Sequence, residues 1–180
     1  GRAPARLSSA AQKTRWLRGL GADVVEILTP ERSLLALAPD AFLREFLREH
    51  PATTIVEGPD FRFGSARAGD VALLRDLGVE LGYDVTIIEP VEATLVDRTI
   101  VPLRSTMVRW LLRHGRVGDA AILLGRPYEL ECRVVRGEQR GRTIGYPTAN
   151  LEHLDALLPA DGVYAGLATL PDGTTRSAAI

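Results

Sequence analysis

The sequence predicts an α/β fold in which a parallel sheet is followed by a β-rich C-terminal segment. Two short stretches rich in β-branched residues, 53–56 and 83–90, flank a helical pattern at residues 70–81. This strand–helix–strand order favours a parallel pair joined by a right-handed crossover. After residue 125 the pattern changes to short alternating stretches, with a turn signal at residues 171–173, which is typical of antiparallel strands.

Further elements are predicted from caps, breakers and apolar spacing. Ser8 or Ser9 caps the first helix and Pro39 begins the second. The helices predicted in this way cover residues 9–20, 39–49, 104–114 and 117–124. The remaining predicted strand segments are residues 23–28, 92–102, 129–135, 162–170 and 174–180. We expect the strand at residues 53–56 to be buried.

Composition excludes several classes of protein. The chain has 180 residues, of which 46% are hydrophobic and 25% charged, an ordinary globular composition that allows one or two domains. A net charge of -1 gives no general attraction to nucleic acid or to an anionic membrane. The single cysteine, Cys132, excludes an internal disulfide and a cysteine-rich metal site, and it suits a reducing cytoplasm.

Residues 57–69 are a candidate binding loop, because parallel sheets bind ligands beyond the carboxyl ends of their strands. Asp60 can accept hydrogen bonds from a hydroxyl group, an amine or the edge of a base. Phe61 and Phe63 alternate with polar residues, so the rings are expected to pack inward while the arginines of the loop face phosphates. The alternative is a core pair of phenylalanines beside solvated charges.

A second candidate lies at the start of the helix predicted for residues 104–114. Exposed N–H groups and the helix dipole favour anions at such a position. Ser105 and Thr106 add hydroxyl groups, and Arg109 lies one turn further along. The alternative is an ordinary helix cap followed by a surface arginine.

The stretch Gly-Arg-Thr-Ile-Gly-Tyr-Pro-Thr-Ala-Asn, residues 141–150, is a third candidate site. Gly141 and Gly145 allow a tight backbone near a ligand, and Arg142 adds a positive charge. Thr148 and Asn150 point to the same side of an extended chain, where their oxygens suit Mg²⁺ and nucleotide phosphates. The alternative is a polar turn between two strands.

This last stretch resembles the start of a riboflavin kinase domain, with Leu-Pro-Ala-Asp-Gly-Val-Tyr-Ala following it, and the match extends over residues 128–165. In that family the Pro-Thr-Ala-Asn signature holds Mg²⁺ and the phosphates of the adenine nucleotide. The resemblance implies a small β-barrel, with Thr148 as the metal-binding residue. It also implies that ATP phosphates meet the following residues: Gly141, Arg142, Gly145, Thr148 and Asn150.

The earlier motifs resemble the FMN adenylyltransferase module of the bacterial bifunctional riboflavin kinase/FMN adenylyltransferase (FAD synthetase) family. These motifs are Asp-Phe-Arg-Phe-Gly, then Arg-Ala-Gly-Asp-Val-Ala-Leu-Leu, then Ser-Thr-x-x-Arg. The resemblance implies a Rossmann-like nucleotidyltransferase sheet and assigns ATP binding to Asp60, Ser105, Thr106 and Arg109. Arg104 departs from the pattern, because a further serine is usual there.

The resemblance implies an internal fragment of such an enzyme, with residues 1–124 in the adenylyltransferase module and residues 125–180 in the kinase domain. Its substrates would be the small molecules ATP, riboflavin and FMN, and its location the cytoplasm, with no role for nucleic acid or membrane.

The family's His-x-Gly-His motif, with the first strand of the sheet, and the kinase's catalytic carboxylate are not found in this sequence. The catalytic residues are therefore expected outside the chain, and the chain alone is expected to be inactive. A non-catalytic nucleotide- or flavin-binding module remains an alternative. An adenylyltransferase for a pantetheine or nicotinamide nucleotide is another, although it leaves the Pro-Thr-Ala-Asn segment unexplained.

Overall fold

The structure, a computed structural model, describes residues 3–29, 32–136, 148–153 and 156–180. The helices in this part of the chain are α1 (Ala10–Gly19), α2 (Arg32–Leu35), α3 (Pro39–Glu49), α4 (Val71–Leu81), α5 (Ser105–Arg113) and α6 (Val117–Leu124), with a 3₁₀ turn at Ser65–Arg67. The strands are β1 (Thr54–Glu57), β2 (Asp84–Ile87), β3 (Glu92–Thr94), β4 (Ile100–Pro102), β5 (Cys132–Val135), β6 (Asn150–His153), β7 (Ala165–Thr169) and β8 (Thr175–Ala179).

The chain divides into two compact units. The central unit is Val24–Val91, and the second unit combines the residues up to Asp23 with those from Glu92 onward. The described residues form four two-stranded sheets, of which β1–β2 is parallel and the others are antiparallel. The predicted α/β class is therefore confirmed.

The central unit is built around the β1–α4–β2 segment. Asp70 caps α4 by accepting a hydrogen bond from the Leu73 N–H at 3.0 Å, and Gly82 ends the helix in a left-handed conformation. Parallel pairing of Thr54 with Asp84 starts the ladder, as the strand–helix–strand pattern predicts. The buried residues of this unit are Leu43, Phe63, Leu74, Leu77 and Tyr83.

Two expectations for this unit are wrong. Residues 23–28 form no strand; among the described residues β1 pairs only with β2, so this segment has no ladder, and Val24 is 82% exposed. Strand β1 is also not buried, and Val56 is 56% exposed. An alternating exposed and half-buried pattern arises because only one face, which includes Ile55, packs against the buried cluster.

The second unit has its own core between the β3–β4 hairpin and helices α5 and α6. Ser9 is the N-cap residue of helix α1 and forms a capping box with Gln12, which confirms one of the two predicted caps. Residues 92–102 form a hairpin rather than a single connecting strand. The buried residues are Leu95, Val101, Val108, Leu111, Leu112, Ala120 and Leu123.

Two antiparallel hairpins, β5–β6 and β7–β8, follow α6. The turn at residues 171–173 is confirmed: the Gly173 N–H donates to the Leu170 carbonyl at 2.9 Å, and Gly173 has a φ of 83°. In these hairpins every strand residue is exposed or half-buried. Among the described residues, no helix is both long and apolar enough to cross a membrane.

Candidate functional site

The loop after β1 begins with a tight turn that places Asp60 at its corner. The Phe61 N–H donates to the Gly58 carbonyl at 3.1 Å, which closes a four-residue turn. Pro59 occupies the second position, where its fixed φ suits such a turn. Asp60 is an exposed residue.

The aromatic residues of this loop pack inward, as the alternation predicts. Phe63 is only 5% exposed, and its ring lies 5.6 Å from that of Phe61 in a stacked arrangement. Phe42 of α3 contacts the same cluster. Arg62 remains exposed, and its guanidinium donates to the Phe61 carbonyl at 3.0 Å. The rings therefore fix the loop while its polar groups stay at the surface.

Residues 63–69 are closed by two backbone hydrogen bonds. The N–H groups of Phe63 and Gly69 donate to each other's carbonyls at 3.2 and 3.0 Å. Gly64 has a φ of 70°, and an added Cβ would lie 2.6 Å from the Pro39 backbone, so only glycine fits there. Ala66 and Arg67, at the exposed tip, adopt left-handed conformations that are costly for residues other than glycine. Strain of this kind is common at binding sites.

Glu57 begins the predicted binding loop, and the sequence alone assigns it no role. It is the last residue of β1 and is half-buried. Burial raises the pKa of Glu57 above its ordinary value, although a backbone hydrogen bond at Gly58 opposes this effect. Its position at the carboxyl end of a parallel strand is the sequence signal that could have identified it.

The N-terminus of α5 brings Ser105 and Thr106 together on an exposed surface. The N-cap residue is Arg104, whose side chain makes no capping hydrogen bond. Arg109 is half-buried, and its Nε donates to the Ala5 carbonyl at 2.8 Å. Phosphate binding by Arg109 stays a prediction.

An ionic network joins the start of α6 to the β3–β4 turn, which precedes α5 in the chain. The buried Asp119 accepts hydrogen bonds from the Val96 N–H at 2.9 Å and from Arg116 Nε at 2.7 Å. Arg116 also contacts Asp97 at 2.7 Å. Hydrogen bonds from Thr99, joined by the one from Arg116, lower the pKa of Asp97 to about 2. This network fixes the β3–β4 turn, from which β4 leads within two residues to Arg104.

The third candidate site is described only in part. Gly141, Arg142 and Gly145 lie outside the described residues. Thr148 and Asn150 are both exposed, and Asn150 begins β6 opposite Val135 of β5. The described residues contain no group of three acidic, histidine or cysteine side chains that could hold a metal. A hydroxyl and a carboxamide oxygen still fit Mg²⁺, because that ion binds through few protein oxygens together with substrate phosphates.

The predicted residues of the adenylyltransferase site fall in different units. Asp60 belongs to the central unit, whereas Ser105, Thr106 and Arg109 belong to the second unit. Their joint action on one ligand therefore stays a prediction.

A shallow cleft of about 350 Å³ lies between α4 and β2, lined by residues that include Arg75. This cleft is at the amino end of the parallel ladder, opposite to the end where such sheets bind ligands.

Comparison with known families now places the chain. The sequence profile of the FAD synthetase family matches residues 1–99. The chain belongs to the FAD synthetase family. A second profile, that of riboflavin kinase, matches residues 124–180 of this FAD synthetase family member.

Curated relatives carry both activities in their names. The bifunctional riboflavin kinase/FMN adenylyltransferase of Escherichia coli strain K12 is 38% identical over 165 residues, which cover 91% of this chain and 51% of the relative. The proteins of the same name from Haemophilus influenzae and Listeria monocytogenes are 34% and 31% identical, over 95% and 88% of this chain. This FAD synthetase family member thus spans about half the length of the relatives it matches.

A solved structure shares the fold. It is a crystal structure described as a macrolide-efflux protein from Streptococcus pneumoniae, with a TM-score of 0.76 and 30% sequence identity. The similarity covers 95% of this chain and 59% of that chain. The arrangement of elements found here therefore recurs in a protein of greater length.

Proposed function

We propose that the chain is part of an enzyme of flavin cofactor biosynthesis. The enzyme phosphorylates riboflavin to FMN with ATP, and it then transfers AMP from a second ATP to FMN, forming FAD and releasing pyrophosphate. The observation that carries this proposal is the order of the two family matches on one chain, FAD synthetase before riboflavin kinase. The curated relatives that match this chain have both activities in their names.

In the adenylyltransferase half, positioning and charge stabilisation are the main tasks of the protein. We assign the first 124 residues to this half, with β1 and β2 as part of a Rossmann-like parallel sheet. Ser105, Thr106 and the exposed amides at the start of α5 bind ATP phosphates, and Arg109 contributes its terminal nitrogens. Asp60, in the loop that follows the carboxyl end of β1, accepts hydrogen bonds from a nucleotide. The exposure of Asp60, Ser105 and Thr106 supports the assignment, and Arg109 is half-buried.

In the kinase half we assign residues 125–180 to the start of a riboflavin kinase barrel, to which β5–β8 contribute. Thr148 and Asn150 would hold Mg²⁺ together with ATP phosphates, and Gly141, Arg142 and Gly145 complete the phosphate site. Bound Mg²⁺ would neutralise charge on the transferred phosphoryl group. Thr148 and Asn150 are both exposed residues that carry side-chain oxygens, which supports a shared site of this kind.

We expect this chain alone to bind substrates without turning them over. None of its three histidines lies in a His-x-Gly-His motif. His50 instead pairs with Glu26 at 3.1 Å, and His114 stacks on Trp110 with ring centroids 4.2 Å apart. These contacts give both side chains structural roles. A non-catalytic nucleotide- or flavin-binding module would also bind substrates without turnover. An activity assay on a protein with the full length of the relatives distinguishes that module from part of an enzyme.

The substrates in this proposal are small molecules, and we expect the protein in the cytoplasm.

Burial raises the pKa of the Cys132 thiol, so the thiol stays protonated and poorly reactive at neutral pH.

Calorimetric titration with Mg·ATP tests the proposal. We expect the chain to bind Mg·ATP, the Thr148→Ala/Asn150→Ala variant to lose the kinase part of that binding, and the Ser105→Ala/Thr106→Ala variant to lose the other part. Thr169→Ala/Thr175→Ala, which removes two exposed hydroxyl groups of the β7–β8 hairpin, is the matched control. Absence of Mg·ATP binding by the folded chain, or equal binding by all variants, would contradict the proposal.

A further inference from the structure

Helix α1 begins with a capping box whose two side chains also hold a distant segment of the chain. The Gln12 N–H donates to the Ser9 hydroxyl at 3.0 Å, and the Ser9 N–H donates to the Gln12 side-chain oxygen at 2.9 Å. This reciprocal pair satisfies two amides at the start of the helix. Each side chain keeps a donor after the pair is made, because a hydroxyl carries a proton and a carboxamide carries an NH₂ group.

Both remaining donors bind residues 129–131. Ser9 Oγ donates to the Glu131 carboxylate at 2.8 Å, and Gln12 Nε2 donates to the Glu129 carbonyl at 3.3 Å. Gln12 is only 1% exposed, so loss of its partner would leave a buried polar group unsatisfied. The start of α1 and residues 129–131 therefore depend on the same two side chains.

The next turn of α1 extends the contact. The guanidinium of Arg126 lies 3.2 Å from the centroid of the Trp16 ring, and Arg15 pairs with Glu129 at 2.6 Å. The Arg15–Glu129 pair is largely exposed and contributes little, whereas the half-buried Trp16–Arg126 stack covers an aromatic face. These contacts join α1 to residues 126–131, which connect α6 to β5.

We propose that α1 is a clasp, formed by Ser9, Gln12 and Trp16, whose folding is coupled to the docking of residues 126–131. Capping and docking use the same side chains, so neither is complete without the other. The first helix of the FAD synthetase match and the first residues of the riboflavin kinase match consequently form and open together.

Two substitutions separate capping from docking. Gln12→Glu keeps an oxygen for the Ser9 N–H but has no donor for the Glu129 carbonyl. Ser9→Asp keeps an acceptor for the Gln12 N–H but places a carboxylate against Glu131. Lys13→Gln, on the exposed side of α1, changes the net charge by the same amount and is the control.

Urea unfolding monitored separately through the two tryptophans tests the clasp. In a Trp110→Phe background, Trp16 reports the clasp. In a Trp16→Phe background, which keeps an aromatic ring for Arg126, the 46%-exposed Trp110 reports helix α5. We expect Gln12→Glu and Ser9→Asp to lower the Trp16 midpoint by about 0.5 M urea or more, a shift on the scale of one hydrogen bond. The Trp110 midpoint should move less, and Lys13→Gln should move neither.

A rescue variant completes the test. Adding Glu131→Gln to Ser9→Asp supplies an amide that donates to the new carboxylate, and we expect it to restore the Trp16 midpoint. If Ser9→Asp does not fold, Gln12→Glu decides the question alone. The proposal is overturned if Gln12→Glu matches the Lys13→Gln control, or if a folded Ser9→Asp variant is not rescued.

Discussion

The β1–β2 ladder and the C-terminal hairpins have strands of similar length but differ in what covers them. Ile55 and Val85 of the parallel pair contact a buried cluster supplied by α3, α4 and the loop after β1. No residue of β5–β8 belongs to either buried cluster of the described chain. A ladder satisfies backbone hydrogen bonds in both places, but only packing against helices removes apolar surface from water. Isolated hairpins are at best marginally stable for this reason.

The largest expected effect is the contrast between a buried and an exposed leucine. Leu74 in α4 has no exposed surface, whereas Leu167 in β7 is 71% exposed. We expect Leu74→Ala to lower the free energy of unfolding by about 3 kcal/mol, because it leaves a cavity. Leu167→Ala should change it by less than about 0.5 kcal/mol. Urea unfolding followed by circular dichroism measures both, and similar losses would break the comparison.

Two glycines with left-handed conformations give the next contrast. Gly64, with a φ of 70°, lies against the Pro39 backbone, whereas Gly173, with a φ of 83°, has no atom within 4 Å of an added Cβ. We expect Gly173→Ala to cost about 1 kcal/mol from conformation alone. Gly64→Ala adds a steric clash and should cost clearly more. Equal losses in thermal unfolding would show that the loop after β1 is loosely packed.

The N-terminal cap of α4 should contribute less to the free energy of unfolding than the buried leucine on the same helix. We expect Asp70→Ala to lower the free energy of unfolding by about 1 kcal/mol, since the Leu73 N–H loses its acceptor. Asp70→Asn retains an acceptor oxygen and serves as the control. If both substitutions cost the same, the hydrogen bond seen at the helix start does not contribute.

The smallest expected effects are in the pH dependence of stability. One carboxyl in each unit contributes to it, and the two contributions should change with pH in opposite directions. The pKa of Glu57 is raised by burial, so its contribution to stability is complete below its unfolded pKa and is lost as pH rises through the folded pKa. The pKa of Asp97 is lowered to about 2, so its contribution is present above the unfolded pKa and is lost as pH falls toward 2. Carboxyl NMR titrations of wild type, Glu57→Gln and Asp97→Asn measure both, and shifts of the same sign would contradict this account.

Local rules predicted most helices and the parallel pair. Pro39 starts a helix, Asp70 caps one, and Gly173 forms a turn. Each of these roles depends only on nearby residues, so the sequence alone predicts it correctly. The strand predicted for residues 23–28 does not form, because strand formation depends on a distant partner that a local pattern does not contain. The raised pKa of the half-buried Glu57 has no local signal either, because burial depends on the fold around the residue.

The candidate site shows the same limit. The sequence predicts Asp60, Ser105 and Thr106 as candidates from their polar side chains after a strand and at the start of a helix, and all three are exposed. Arg109 also binds the Ala5 carbonyl, a contact that spans 104 residues and leaves no signal in the local sequence. Long-range contacts of this kind, like those of the α1 clasp, appear only in the folded chain.

The measurement that tests the central claim most directly is an NMR titration of the ¹⁵N-labelled chain with Mg·ATP. We predict that the amides of Ser105 and Thr106, the Asp60 turn, and Thr148 with Asn150 shift on addition of ligand. Shifts confined to the cleft beside Arg75, or shifts of none of these amides, would contradict the assignment of nucleotide binding to these residues.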